Sequence, residues 1–132
     1  MANGNLKDEY LDASANQRQF QTLRFAQITV FIAITGFLIN LLFNASTPVP
    51  TLERLALKTG GLLVTFLFWI HQERVMAYWN HFVQRAAELE KELGFRQYST
   101  RPRAGIVSSF KAMRLFFIVF SLFWTVALLW LT

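Results

Sequence analysis

Residues 25–43 make a run of nineteen without one charged side chain, and two similar runs follow: 55–71, with one lysine near its start, and 115–131, with none. At 1.5 Å rise per residue each would be a helix of roughly 24–28 Å, close to the ~30 Å hydrocarbon core of a bilayer. Lys58, inside the second run, is near enough to its start to snorkel toward the nearer surface. Three such runs are hard to hide in water. The chain has 132 residues, is 54% hydrophobic and 16% charged, and holds fourteen Phe and four Trp. Soluble domains carry about 25% charge, and a core of this size cannot bury that much aromatic surface, whereas lipid accepts it.

The expected fold is an all-α integral membrane protein with three transmembrane helices. Its parts are a cytoplasmic N-terminal arm or helix (1–24), a first span (25–43), an external hairpin (44–54), a second span (55–71), a cytoplasmic helical extension of that span (72–94), a basic connector (95–108) and a third span (109–131). The first run does not read as a cleavable signal, because some two dozen mostly polar residues precede it. Within those, Leu6, Tyr10, Ala13, Gln17 and Phe20 form only a weak apolar stripe. Trp69, Tyr78, Trp79 and Trp130 fall where interfacial aromatic anchors would.

Orientation follows from the cations. Lys7, Arg18 and Arg24 lie on the arm. Arg74, Arg85, Lys91, Arg96, Arg101 and Arg103 lie in the long connection, with Lys111 and Arg114 at the third boundary. Only Arg54 and Lys58 belong to the other side. The positive-inside bias predicts a bacterial cytoplasmic (inner) membrane protein with its N-terminus in the cytoplasm and its C-terminus outside.

The extension carries the clearest pattern. No Pro or Gly interrupts 72–93, so the second span should run on as helix until Gly94, a left-handed cap with Phe95 folding back. Val75, Trp79, Phe82, Ala86, Leu89 and Leu93 recur at 4-3-4-3-4 spacing, an amphipathic heptad seam. Arg74, Tyr78, His81, Arg85, Glu88 and Glu92 occupy the opposite face. An apolar stripe outside the bilayer must be buried. The stripe of the arm looks too broken to cover all of it, so copies of the same helix are the expected cover, and the seam is the expected oligomer interface.

Other surfaces are less distinctive. Thr29, Ala33, Gly36 and Asn40 form a small, polar face on the first span, suited to close helix packing or to lining a polar pathway; Phe31 lies off that face and should tolerate Leu. Gly60, Gly61 and Thr65 form a similar thin patch on the second span. Arg96, Arg101, Arg103, Lys111 and Arg114 form a basic cluster suited to acidic lipid headgroups or an acidic ligand. Ser108 or Ser109 should cap the third span.

Chemistry is sparse. There is no Cys, no phosphate-binding Gly-rich loop, no nucleophile elbow and no metal-ligand cluster. His71 and His81, ten residues apart on one helix, cannot share a metal ion. No carboxylate lies within a span, which disfavours proton-coupled transport. The expectation is a non-enzyme without cofactor or metal, with membrane lipids rather than nucleic acid as surroundings.

Glu9-Tyr10-Leu11, the stretch 74–95 (RVMAYWNHFVQRAAELEKELGF), Tyr98 and Arg101-Pro102 resemble the RipA family of small octameric bacterial inner-membrane proteins. The layout is also similar to SLATT-type membrane effectors, in which two spans carry a cytosolic helical extension, although those lack an equivalent third span. The first resemblance implies a homo-oligomer of eight subunits tied to stress or host adaptation, and supplies no catalytic residues. Two functional classes follow: a self-associating scaffold or pore-like assembly, and an accessory subunit docked on a larger membrane complex.

Overall fold

The computed structural model of the chain describes residues 2–44, 49–100 and 108–130, with side chains from Asn5 onward in the first stretch. All regular structure among them is helical: α1 (Ala2–Phe43), α2 (Thr51–Leu93) and α3 (Ser109–Trp130). Two helices are long and apolar enough to cross a membrane, α1 over Asn5–Phe43 and α3. The apolar stretch of α2 is diluted by Lys58, Gly60, Gly61 and Thr65.

Residue contacts divide the chain into two units. The first joins Met1–Phe25 to Glu73–Ile106, and the second joins Ala26–Gln72 to Val107–Thr132. α1 and α2 each contribute to both, so neither the arm nor the extension is a separate element. The arm is helix continuous with the first apolar run, and α2 runs unbroken through the boundary near residue 72, as the lack of Pro and Gly requires.

In the second unit, α1, α2 and α3 pack through aromatic rings. Phe31 is fully buried and meets Phe68 of α2 and Phe116, Phe117 and Phe120 of α3, with centroids 5.2–5.7 Å apart. Trp69 stacks on Phe117 at 6.3 Å. These are tilted, edge or offset arrangements, which the ring quadrupole favours. Trp124 is fully buried against Gly61, where a Cβ would collide with the indole. Beside it, the buried Thr65 hydroxyl donates 2.8 Å to the carbonyl of Gly61, which satisfies it within its own helix. Gly61, within the thin patch on α2, is therefore the socket for one large ring.

Three expectations need correction here. Phe31 is the hub of the unit, not a bystander. Thr29, Ala33, Gly36 and Asn40 are exposed, and the space around Gly36 is open to 4 Å, so among the described residues no helix of the same chain closes on Gly36. Volume explains both: the five rings of the Phe31 cluster leave more surface to bury than a stripe of small residues does, and Phe31 with the buried Thr35 turns the other side of α1 inward. Lys58 is buried, 2% exposed, and does not reach out to a surface.

The ends follow local rules. Arg54 N–H bonds the carbonyl of Pro50 at 2.9 Å, closing the first turn of α2. Ser108 is the N-cap of α3: its Oγ accepts from Lys111 N–H at 3.3 Å and its carbonyl from Ala112 N–H at 3.0 Å.

Candidate interaction surfaces

The first unit is built from the two heptad stripes. Leu6, Tyr10, Ala13, Gln17 and Phe20 on α1 meet the seam of α2 in antiparallel register. Tyr10, Ala13, Ala86 and Leu89 form its core, with Leu6, Phe82, Leu93 and Tyr98 packed around them. Further along, Phe20 stacks on Tyr78 and Phe82 at 5.5 and 5.6 Å. Of the expected oligomer interface, Val75, Ala86 and Leu89 are buried within the single chain, and Trp79, Phe82 and Leu93 are half-buried. The arm thus covers Phe82, Ala86, Leu89 and Leu93 of the seam within a single chain. Gln17 interrupts the apolar stripe of the arm, yet it is buried and its amide N–H donates to Gln21 at 3.4 Å. Met76 and Val83, seven residues apart, are also buried and broaden the stripe beyond a two-position seam.

The most connected group in this unit is Glu90. Its side chain is fully buried. The carboxylate accepts from Tyr98 N–H at 2.8 and 2.9 Å, from Ser99 N–H at 2.8 Å and from the Tyr10 hydroxyl at 3.1 Å. Its backbone carbonyl accepts from Phe95 N–H at 3.1 Å across Gly94, whose φ of 76° is the left-handed cap expected there. One residue thus ties together the end of α2, the chain reversal after it and Tyr10 of α1. A buried carboxylate without such donors would be very costly. Burial raises its pKa, but the donors from Ser99, Tyr98 and Tyr10 outweigh burial and hold the carboxyl below its ordinary range. Burial, followed by the bond to Glu90, raises the Tyr10 phenol, which keeps its proton to donate. The Tyr10 ring is seated between Phe95 at 5.5 Å and Tyr98 at 6.2 Å. Sequence reasoning missed this node. Glu90 follows directly on Leu89 at the edge of the seam, and that position was the available signal.

On the rim, Arg85 bonds Glu9 of α1 at 2.6 Å and Glu88 of its own helix at 3.2 Å, all three exposed. Such pairs fix register more than they stabilise.

The residues of the expected basic cluster belong to both units. Arg96 is exposed in the first unit; Lys111 and Arg114 are exposed in the second, with Arg114 over the Phe110 ring at 5.8 Å. Arg101 and Arg103 lie outside the described residues, as do Ala45 and Ser46 of the hairpin. His71 and His81 are both exposed.

Compared with known protein families, curated proteins and solved structures, the chain has no match.

Proposed function

We propose that this is a small integral protein of a bacterial inner membrane whose second unit lies in the bilayer, with all three helices crossing, and whose first unit stands in the cytoplasm. Copies of it assemble into a scaffold or pore-like ring. The observation that carries the reading is the exterior of the second unit. Val30, Ile32, Phe37, Leu63, Leu67, Leu122, Val126 and Leu129 are each at least half exposed there. Large apolar side chains exposed in this number on all three helices are unusual for a soluble monomer, and acyl chains would cover them.

The same view supports the second span, although α2 is the least apolar of the three. Its polar groups Lys58, Gly61 and Thr65 are buried inside the unit, while Leu55, Leu63, Phe66, Leu67 and Ile70 face out. Mean hydropathy counts both sets alike, but lipid meets only the second. The boundaries between units at residues 25/26 and 72/73 fall within two residues of the ends of the first and second apolar runs, and the one at 106/107 precedes the third run by eight.

Assembly is supported by the face that α1 leaves open. Thr29, Ala33, Gly36 and Asn40 are exposed, and small residues with one amide favour close helix contact in lipid. A charge bias that orients every copy alike would make the assembly cyclic. The test is sidedness plus mass. In cells, Thr51→Cys should react with an impermeant thiol reagent and Gln97→Cys should not; the reverse labelling overturns the orientation. In nanodiscs the particle should be a discrete multiple of the chain mass. A lone monomer, or a particle always carrying other subunits, contradicts self-assembly, and the latter result favours the accessory-subunit reading.

A further inference from the structure

One face of α2 just past the proposed bilayer boundary is neither apolar nor paired. Arg74, Ala77, Tyr78 and His81 line an open recess of about 430 Å³ in the first unit. The spacing i, i+3, i+4, i+7 puts all four on one side of the helix. Ala77 forms the floor, because its short side chain leaves room between three long ones. The walls are held from behind: Tyr78 stacks on Phe20, with 13° between the planes, and His81 lies edge-on to Phe82 at 5.5 Å. Arg74 is exposed, and the ion pairs of Arg85 with Glu9 and Glu88 lie further along the helix. A guanidinium, an imidazole and a phenol therefore line a recess with no carboxylate in its described lining.

We infer that this recess binds the phosphate of an anionic phospholipid headgroup, an assignment that rests on the membrane reading above. Depth and chemistry agree. Arg74 is two residues beyond Gln72, where the second unit ends, so its guanidinium is at headgroup level on that reading. Guanidinium and phosphate match in charge and in bidentate geometry. The phenol and imidazole can donate to the remaining phosphate oxygens or to a glycerol hydroxyl. The shared chemistry is a phosphate group, and free phosphate is the rival source.

The experiment uses the full chain in mixed micelles holding equal phosphatidylglycerol and phosphatidylcholine, with retained lipid counted by native mass spectrometry. Wild type should retain phosphatidylglycerol preferentially. Arg74→Gln should lower that preference about five-fold, the equivalent of roughly 1 kcal/mol per basic side chain at an anionic surface. Ala77→Leu, which fills the recess but keeps the charge, should lower it as well. Arg85→Gln, on the same face but paired with Glu9, should not. Preference unchanged in Arg74→Gln or in Ala77→Leu overturns the site. Displacement of the lipid by millimolar inorganic phosphate assigns the recess to free phosphate and overturns the lipid assignment. Alkaline carbonate washing separates the two layers of the argument. Wild type and Arg74→Gln should both stay with the membrane pellet. Release of wild type overturns the membrane reading and the headgroup assignment together, whereas retention with unaltered lipid preference overturns the recess alone.

Discussion

The two units are built largely from the same two helices, yet they wear their apolar residues in opposite ways. In the first, Leu89, Ala86, Val75, Met76 and Val83 of α2 turn inward and the exterior carries Lys7, Asp8, Glu9, Arg85 and Glu88. In the second, leucines, valines and isoleucines turn outward, and the interior holds rings together with Thr35, Thr65 and Lys58. On the membrane placement proposed above, a helix keeps its geometry across such a boundary while its surroundings change. In water, burial of apolar area selects the inner face. In lipid that preference vanishes, and packing of large against small decides instead.

This difference governs what the amino-acid order discloses. The seam from Val75 to Leu93 could be read because charged residues flank it, and Gly94 and Ser108 could be read because caps have few alternatives. The inner face of the second unit could not be read the same way. Around Phe31 nearly every neighbour is apolar, so no periodicity separates it from Phe37, which is 61% exposed. Gly61 and Trp124 are 63 positions apart, and nothing in either run announces that one is the socket of the other. Glu90 was invisible for a different reason. Its donors are a tyrosine eighty positions earlier and two backbone N–H groups beyond a turn, and an acid next to a seam ordinarily reads as solvated.

The largest expected effect breaks the first unit. Leu89→Asp puts an unpaired charge among Tyr10, Ala13 and Ala86, at a cost of several kcal/mol, on the order of 3–5. Hydrogen exchange should rise across the first half of α1 and the end of α2 while α3 stays protected. Loss of protection throughout all three helices would mean that the units are not separate in stability.

In the second unit, Phe31→Ala and Phe37→Ala make a matched pair. Removing Phe31 should cost about 3 kcal/mol through lost ring contacts and a cavity, and removing Phe37 should cost little, as read by thermal unfolding in detergent. Equal losses would contradict the inward assignment of Phe31. Gly61→Val should behave like Phe31→Ala, because it cannot coexist with the Trp124 ring as seated.

Glu90→Gln is smaller, about 1–3 kcal/mol, since shape survives and charge-assisted bonds do not. The sign with pH is fixed by the lowered pKa. A carboxyl held below its unfolded value contributes stability that is fully present above the unfolded pKa and lost as pH falls through the folded one. Acid should therefore loosen the wild-type first unit below the ordinary carboxylate range, and Glu90→Gln should flatten that dependence. An unchanged acid profile would remove Glu90 from its role as the pin. Smallest of all, Arg85→Ala at the exposed rim should fall within the error of a melting curve.

The central claim is that lipid covers the outside of the second unit and water the outside of the first. Spin labels on single cysteines test it directly, because the chain has no native Cys. In reconstituted vesicles a label at Leu122, exposed in the second unit, should collide with oxygen far more than with a water-soluble nickel chelate. A label at Leu11, exposed in the first, should do the opposite. Nickel access at Leu122 equal to that at Leu11 would contradict the account.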